Sequence, residues 1–155
     1  MLDKKEIEQV KETLFSGASF IYAVIDGAAC PDLRFKLYDW EPNSACLWSG
    51  ALEPDLEEVA PYLVLLDRES TFTHWLVSHG WNNNWNIFVN STLDFKAFKK
   101  QIRKFLRVKS PERKNMVFRF YDPRVLDVFL ENIETTQKEM FFQGINNFYY
   151  QKKRY

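Results

Sequence analysis

The stretch of this sequence with the clearest potential for chemistry is VFRFYDPRVL, residues 117–126, where Asp-Pro follows five strand-forming residues. Asp122 stands between Arg119 and Arg124, as a general base between two anion-binding arginines would. A general base needs a raised pKa, however, and arginines and helix N–H groups lower the pKa of a neighbouring carboxyl group. The arrangement therefore favours a structural role for Asp122 over a catalytic one.

The same residues have the pattern of a strand-to-helix corner. Asp122 occupies the position of a helix N-cap, and Pro123 suits the first helical position and holds the residue before it in an extended conformation. We predict a structural corner made of Arg119, Tyr121, Asp122, Pro123 and Arg124.

Other candidate chemistry is sparse. His74 and His79 are five residues apart and do not share a helical face as an i, i+4 metal pair would. Asp26 follows an apolar run, where α/β enzymes often place a catalytic acid, but no nucleophile or phosphate loop lies near it. Cys30 and Cys46 match no metal or redox spacing and are expected to be reduced thiols. We expect no catalytic residue, bound metal or cofactor, and hence no enzyme.

The composition is that of one globular domain. The chain has 155 residues, with 21 basic and 21 acidic side chains, so no net charge attracts nucleic acid or an anionic membrane. Its 14 Phe, 7 Tyr and 5 Trp are many for a chain of this size; part of this excess is expected to fill the core, but such rings also occur at protein-binding surfaces. The sequence shows neither a signal peptide nor a run of about 18 apolar residues, which predicts a cytoplasmic protein without membrane contact.

Strands and helices alternate along the chain. Apolar runs predict strands at 19–26, 62–67 and 85–91, and residues 45–48 suit a short edge strand. Helical patterns cover 4–14, 31–40 with Pro31 in the first turn, and 70–77; Asp94 opens another helix. Residues 105–121 read as an antiparallel hairpin, in which Arg119 and Tyr121 point away from Phe118 and Phe120. This order predicts an α/β fold with a mixed, mostly parallel sheet flanked by helices and an antiparallel hairpin inside it.

The chain shows no linker, repeat or low-complexity tract, so residues 1–155 are expected to form a single domain. Its core spans about 19–130, followed by a short helical C-terminal part, 131–155. Helices are predicted at 123–131 and 135–143, and NNFYYQ is a candidate terminal strand.

A basic block occupies residues 96–119, with ten Lys or Arg and one acid, Glu112. It is open to three interpretations: a solvated helix face, a surface for an acidic protein, or a small nucleic-acid-binding module. Phe95, Phe98, Ile102 and Phe105 are spaced 3, 4 and 3 apart, which predicts one buried stripe rather than rings stacked on bases. Nucleic-acid binding therefore stays the alternative function.

Several motifs in their order resemble the type VI secretion effector chaperones, the Tap/Tec adaptors, long catalogued as a domain of unknown function. They are YAVIDGAACPDL (22–33), APYLVLLD (60–67), WNIFVNS (85–91), the segment that contains most of the basic block and FRFYDPRV (98–130), and FFQGINNFYY (141–150). The resemblance implies a non-enzymatic adaptor that binds an effector toxin in the cytoplasm and promotes its loading onto the valine-glycine-repeat (VgrG) spike. The effector would be held through its N-terminal region or a linker segment.

An adaptor must leave apolar side chains open for its partner. Aromatic residues outside the periodic patterns are the best candidates, and a terminal strand could bind a cargo strand by backbone pairing. The predicted partner-binding residues are Trp40, Trp48, Trp81, Phe148, Tyr149 and Tyr150.

Overall fold

The computed structural model describes residues 1–17, 19–48, 53–109, 112 and 115–151. The helices are α1 (Lys4–Leu14), α2 (Leu33–Trp40), α3 (Pro54–Val59), α4 (Thr71–Gly80), α5 (Phe95–Arg103), α6 (Pro123–Asn132) and α7 (Thr135–Phe141). The strands are β1 (Phe20–Asp26), β2 (Ser44–Cys46), β3 (Pro61–Leu65), β4 (Asn86–Ser91), β5 (Arg107–Lys109), β6 (Asn115–Val117) and β7 (Ile145–Tyr149).

Most helix starts follow from local capping signals. Asp3 and Glu6 form a capping box at α1, and Ser70 accepts a hydrogen bond from the first turn of α4. Asp94 caps α5 in the same way, which confirms the predicted starts. The start of α2 differs, because Asp32 adopts the left-handed conformation (φ 62°) and the helix begins after it, so Pro31 precedes the helix.

The main sheet corrects the predicted fold class. Its five strands lie in the order β2-β3-β1-β4-β7, and every neighbouring pair is antiparallel. The prediction of a mostly parallel sheet was therefore wrong. The terminal strand candidate does form, as β7, so the C-terminal part adds a strand to the sheet as well as the helix α7.

The error has a topological cause. The strands β1 and β2 are both antiparallel to β3, so the two strands joined through α2 run in the same direction, as a β–helix–β connection suggests. The strands β3 and β4, joined through α4, also share a direction. The two pairs are interleaved, however, so each strand has neighbours of the opposite direction. Alternating strands and helices predict this crossover but not which strands pair.

Helices cover both faces of the sheet, as predicted. Alternate side chains of β1 point to opposite faces of the sheet. Ile21 and Ile25 pack with α1, α2 and α4, whereas Tyr22 and Val24 pack with α5, α6 and α7. On the second face the ring of Tyr22 stacks on Phe98 at 4.2 Å between centroids. The apolar stripe of α5 is thus core, as its spacing predicted.

The hairpin forms, but as a separate two-stranded sheet of β5 and β6 rather than inside the main one. The strand β6 ends at Val117, four residues earlier than the predicted alternation requires. Phe120 and Tyr121 are therefore both buried, while Arg119 is exposed, which overturns the prediction that Arg119 and Tyr121 share one side of a strand. A turn closed by the Asp122 N–H to the Arg119 carbonyl oxygen replaces the last strand residues.

Within the described residues, every helix is too short or too polar to traverse a lipid bilayer.

Candidate functional site: the Asp122 corner and the partner-binding surfaces

The two arginines beside Asp122 bind different carboxylates. Arg124 holds Asp122 through two side-chain hydrogen bonds, from Nε to Oδ1 at 3.0 Å and from Nη2 to Oδ2 at 2.8 Å. The Arg124 backbone N–H also donates to Oδ1, at 2.9 Å, which is the N-cap of α6. Arg119 instead forms an ion pair with Asp26, at the end of β1.

Asp26 links the corner to the sheet. Its side chain is only 2% exposed and accepts a hydrogen bond from the Ala28 N–H at 2.9 Å, in addition to the Arg119 guanidinium. The segment before α6 is therefore fastened to a strand 93 residues earlier in the sequence. Sequence reasoning treated Asp26 only as a turn residue or catalytic acid and missed this pairing, since one sequence carries no signal for a contact at such separation.

The electrostatics of the corner match a structural role. Burial by itself raises the pKa of Asp122, but the hydrogen bonds from the Arg124 side chain and backbone outweigh it, so the pKa is lowered. A general base near neutral pH needs the opposite shift. Burial, followed by the charge of Asp26, raises the pKa of Tyr121, so its hydroxyl stays protonated. Across the described ranges, no three His, Cys, Asp or Glu side chains are arranged to hold a metal ion.

Part of the basic block also has internal partners. Arg103 donates to the Cys46 carbonyl oxygen at 3.0 Å and to the Leu47 carbonyl oxygen at 3.3 Å. The residue that pairs with Leu47 across the sheet is Pro61, which has no N–H to donate to that carbonyl. Arg103 thus supplies a donor that the sheet lacks, and Arg119 neutralises Asp26. Arg103 and Arg119 therefore make contacts within the fold.

The predicted partner-binding residues do not form one patch. Trp40 is half-buried against Phe72 and Trp75, and it lines a cavity of about 570 Å³ where the ends of α1 and α2 meet the start of α4. Trp48 lines a second cavity, of about 400 Å³, between α2, α3 and the β2 edge.

The structure does bring two of these residues together. Trp81 and Tyr149 line a third cavity, of about 270 Å³, beside α1. Phe148 packs on Phe141 on the opposite face of the sheet, and the Tyr150 hydroxyl donates to Asp127 at 3.0 Å. All six predicted aromatics are half-buried.

Among the described residues, the most exposed aromatic side chains were not predicted from the sequence. Phe35 is 70% exposed and Tyr38 is 81% exposed, and both lie on α2 one helical turn apart. Sequence reasoning passed over them because they fall inside a predicted helix, where an aromatic is expected to face the core. The signal available was their offset from Leu33 and Leu37, which face inward.

The sheet ends in two edges of different character. The strand β2 is three residues long, and the Arg103 guanidinium donates a hydrogen bond to the carbonyl oxygen of its last residue, Cys46. The strand β7 has five residues and pairs with β4 on one side; in the part of the chain described, no strand pairs with its other side. The β7 edge is therefore the one open to an added strand, as its sequence suggested.

Comparison with known proteins returns one family. A family described as "Domain of unknown function (DUF4123)" matches residues 21–139. No curated protein matches the chain, and no solved structure does.

Proposed function

This chain belongs to the DUF4123 family, a domain of unknown function, and we propose that it is an adaptor, or chaperone, for a type VI secretion effector. In this proposal it binds the effector toxin in the bacterial cytoplasm, through the toxin's N-terminal region or a linker, and promotes its loading onto the VgrG spike. It performs no chemistry and needs no cofactor. The order of motifs around FRFYDPRV, which resembles the Tap/Tec adaptors, supports this assignment.

The observation that carries the proposal is the exposure of Phe35 and Tyr38 on α2. Large aromatic side chains exposed to water on one helix, one of which (Tyr38) lines a cavity together with Trp48, are typical of a surface that a partner protein covers. The polar residues best suited to catalysis, in contrast, already bind one another at the Asp122 corner. Recognition of a protein therefore fits the described side chains better than catalysis.

Backbone pairing at β7 offers a second contact for the same cargo. An extended segment of the effector could continue the sheet beyond β7, as in other complexes formed by strand addition. Double substitutions Tyr149→Ala with Tyr150→Ala, and Trp40→Ala with Trp48→Ala, compare this edge with the α2 side of the molecule. If both double variants stay folded and keep full affinity for the effector, neither surface binds it.

The function itself is tested with purified proteins. The chain and the toxin encoded beside a VgrG gene of the same bacterium are mixed, and their binding is measured by calorimetry. We expect a stable complex and a higher melting temperature for the chain, because a ligand that binds only the native state stabilises it. Absence of binding at micromolar concentrations, for every such toxin of that bacterium, refutes the adaptor function.

The alternative function has its own measurement. Nucleic-acid binding through the basic block would weaken steeply with salt and would be lost on neutralising Lys99 and Lys100. We expect no appreciable binding to single- or double-stranded DNA or RNA at physiological salt. Micromolar, salt-sensitive binding that disappears in Lys99→Gln with Lys100→Gln would favour the nucleic-acid module instead.

A further inference from the structure

We propose that α2 and α3 form a docking surface for an apolar segment of the partner that also carries Lys or Arg. The α2–α3 surface comprises the exposed side chains Phe35, Tyr38, Leu56 and Val59 and the cavity lined by Trp48. The identity of the partner as the effector rests on the proposed function; the chemistry of the docking segment follows from the surface.

The two helices are joined into one surface. Arg34 of α2 and Glu57 of α3 form an ion pair at 2.9 Å, and both line the cavity of about 400 Å³ together with Tyr38. The Tyr62 hydroxyl, from β3, donates to the Glu57 carbonyl oxygen at 2.7 Å. This hydrogen bond attaches α3 to the sheet. A preformed surface of this kind loses little entropy when it binds.

The surface is strongly acidic, although the whole chain is neutral. Residues 32–58 contain seven acidic side chains and two basic ones. Both basic groups are engaged: Arg34 binds Glu57, and the Lys36 ammonium lies 4.8 Å from the ring centroid of Trp40. The remaining acidic residues are exposed, and no ion pair of theirs occurs in the described part of the chain; they are Asp32, Asp39, Glu41, Glu53, Asp55 and Glu58.

The acidic charge of the α2–α3 surface determines which kind of partner segment it binds. A partner segment that covers Phe35 and Tyr38 approaches a region in which exposed carboxylates outnumber the cations, so apolar residues flanked by Lys or Arg bind best. A nucleic acid is repelled by the same carboxylates. A second copy of this chain would present its basic helix α5, whose Phe98 and Ile102 are fully buried in its own core and whose Phe95 is half-buried. That helix offers charge with little apolar surface to cover the exposed rings.

The docking mode also follows from the structure. The nearest sheet edge is β2, where Arg103 already binds the outward carbonyl oxygen of Cys46. Strand addition at β2 would have to displace this guanidinium. The occupant therefore binds the α2–α3 surface through side-chain burial, which distinguishes this contact from backbone pairing at β7.

The experiment measures the affinity of the purified effector for variants of the full chain by calorimetry. We expect Phe35→Ala with Tyr38→Ala to weaken binding at least tenfold, because exposed aromatics at the centre of an interface carry much of its affinity. The control is Val128→Ala with Met140→Ala, which removes two exposed apolar side chains of α6 and α7 and should leave the affinity unchanged. Circular dichroism confirms that each variant is folded.

The charge requirement is measured separately. Neutralising three of the exposed acidic residues by Asp39→Asn, Glu41→Gln and Asp55→Asn should weaken binding about threefold to tenfold at low salt and flatten the dependence of Kd on salt. The matched control, Glu131→Gln with Glu139→Gln, neutralises exposed acids of α6 and α7 and should change neither quantity.

The outcomes separate the two proposals. If the wild-type chain binds the effector and both α2–α3 variants bind as tightly, the docking surface is wrong while the adaptor function stands. If the wild-type chain binds no effector, the adaptor function fails and the docking proposal fails with it. Sedimentation of the chain alone that shows a dimer, dissociated by Phe35→Ala with Tyr38→Ala, would assign the surface to self-association and overturn the proposed occupant.

Discussion

Replacing Asp122 with alanine removes the N-cap of α6 and the ion pair with Arg124 in one step. The lost cap costs about 1 kcal/mol of unfolding free energy. The Arg124 side chain is 58% exposed, so solvent screens the ion pair and its loss adds only about 0.5 kcal/mol. We therefore expect Asp122→Ala to lower the free energy of unfolding by about 1.5 kcal/mol.

Two matched variants separate these contributions. Asp94 caps α5 through the Ala97 N–H at 2.9 Å, and the described residues show no arginine paired with it, so Asp94→Ala should cost about 1 kcal/mol. Asp122→Asn keeps an oxygen for the Arg124 N–H but loses the charge, so it should cost about 0.5 kcal/mol. Urea melts at pH 7 measure all three values.

The dependence on pH provides an independent check. The pKa of Asp122 is lowered from its ordinary value of 3.8, since the Arg124 hydrogen bonds outweigh the effect of burial. A lowered pKa in the folded state means that the carboxylate stabilises the protein fully above about pH 5 and that this stabilisation disappears as the pH falls through 3.8 and below. The stability difference between wild type and Asp122→Asn should therefore shrink between pH 5 and pH 3.

The reasoning is refuted if Asp122→Ala is as stable as wild type at pH 7. If that equally stable variant has also lost an enzymatic activity, the carboxylate acts on a substrate.

Three further predictions concern other parts of the fold. Gly27→Ala should destabilise the protein by roughly 2–3 kcal/mol, because the added Cβ would lie 2.7 Å from a carbonyl oxygen of α3; Gly17→Ala, with open space around it, is the control in urea melts. Arg103→Met should cost about 1–2 kcal/mol, because it leaves two carbonyl oxygens at the β2 edge without this donor, and stability equal to wild type would contradict this role. Burial raises the pKa of the Cys30 thiol to about 12, so iodoacetamide at pH 8 should alkylate the half-buried Cys46 first in the native protein, as peptide mass spectrometry can show.

Local sequence signals were sufficient for most secondary structure. The starts of α1, α4, α5 and α6 follow from Asp3, Ser70, Asp94 and Asp122, because an N-cap is a contact between residues two or three positions apart. The burial of the α5 stripe was also predictable, since its helical spacing specifies which face turns inward. Local interactions of this kind do not depend on the rest of the fold.

The candidate site was only partly predictable. Arg119, Tyr121, Asp122, Pro123 and Arg124 were predicted to form a structural corner, and the cap of α6 within it has the expected form. The binding partner of Arg119 was not, because Asp26 reaches it only after the sheet has formed. The exposed rings Phe35 and Tyr38 were missed for a different reason: they lie in a predicted helix, where an aromatic is expected to face the core, although their offset from the inward-facing Leu33 and Leu37 indicated the outer face.

The sequence by itself determined which segments are helices and strands and which helix faces are apolar, since these properties depend on neighbours within about four residues. Tertiary structure alone decided the antiparallel order β2-β3-β1-β4-β7, the separation of the hairpin from the main sheet and the pairing of Arg119 with Asp26. Strand direction and charge pairing depend on which distant segments meet. That outcome depends on the packing of the whole chain, since the backbone of any strand can form hydrogen bonds with either a parallel or an antiparallel neighbour.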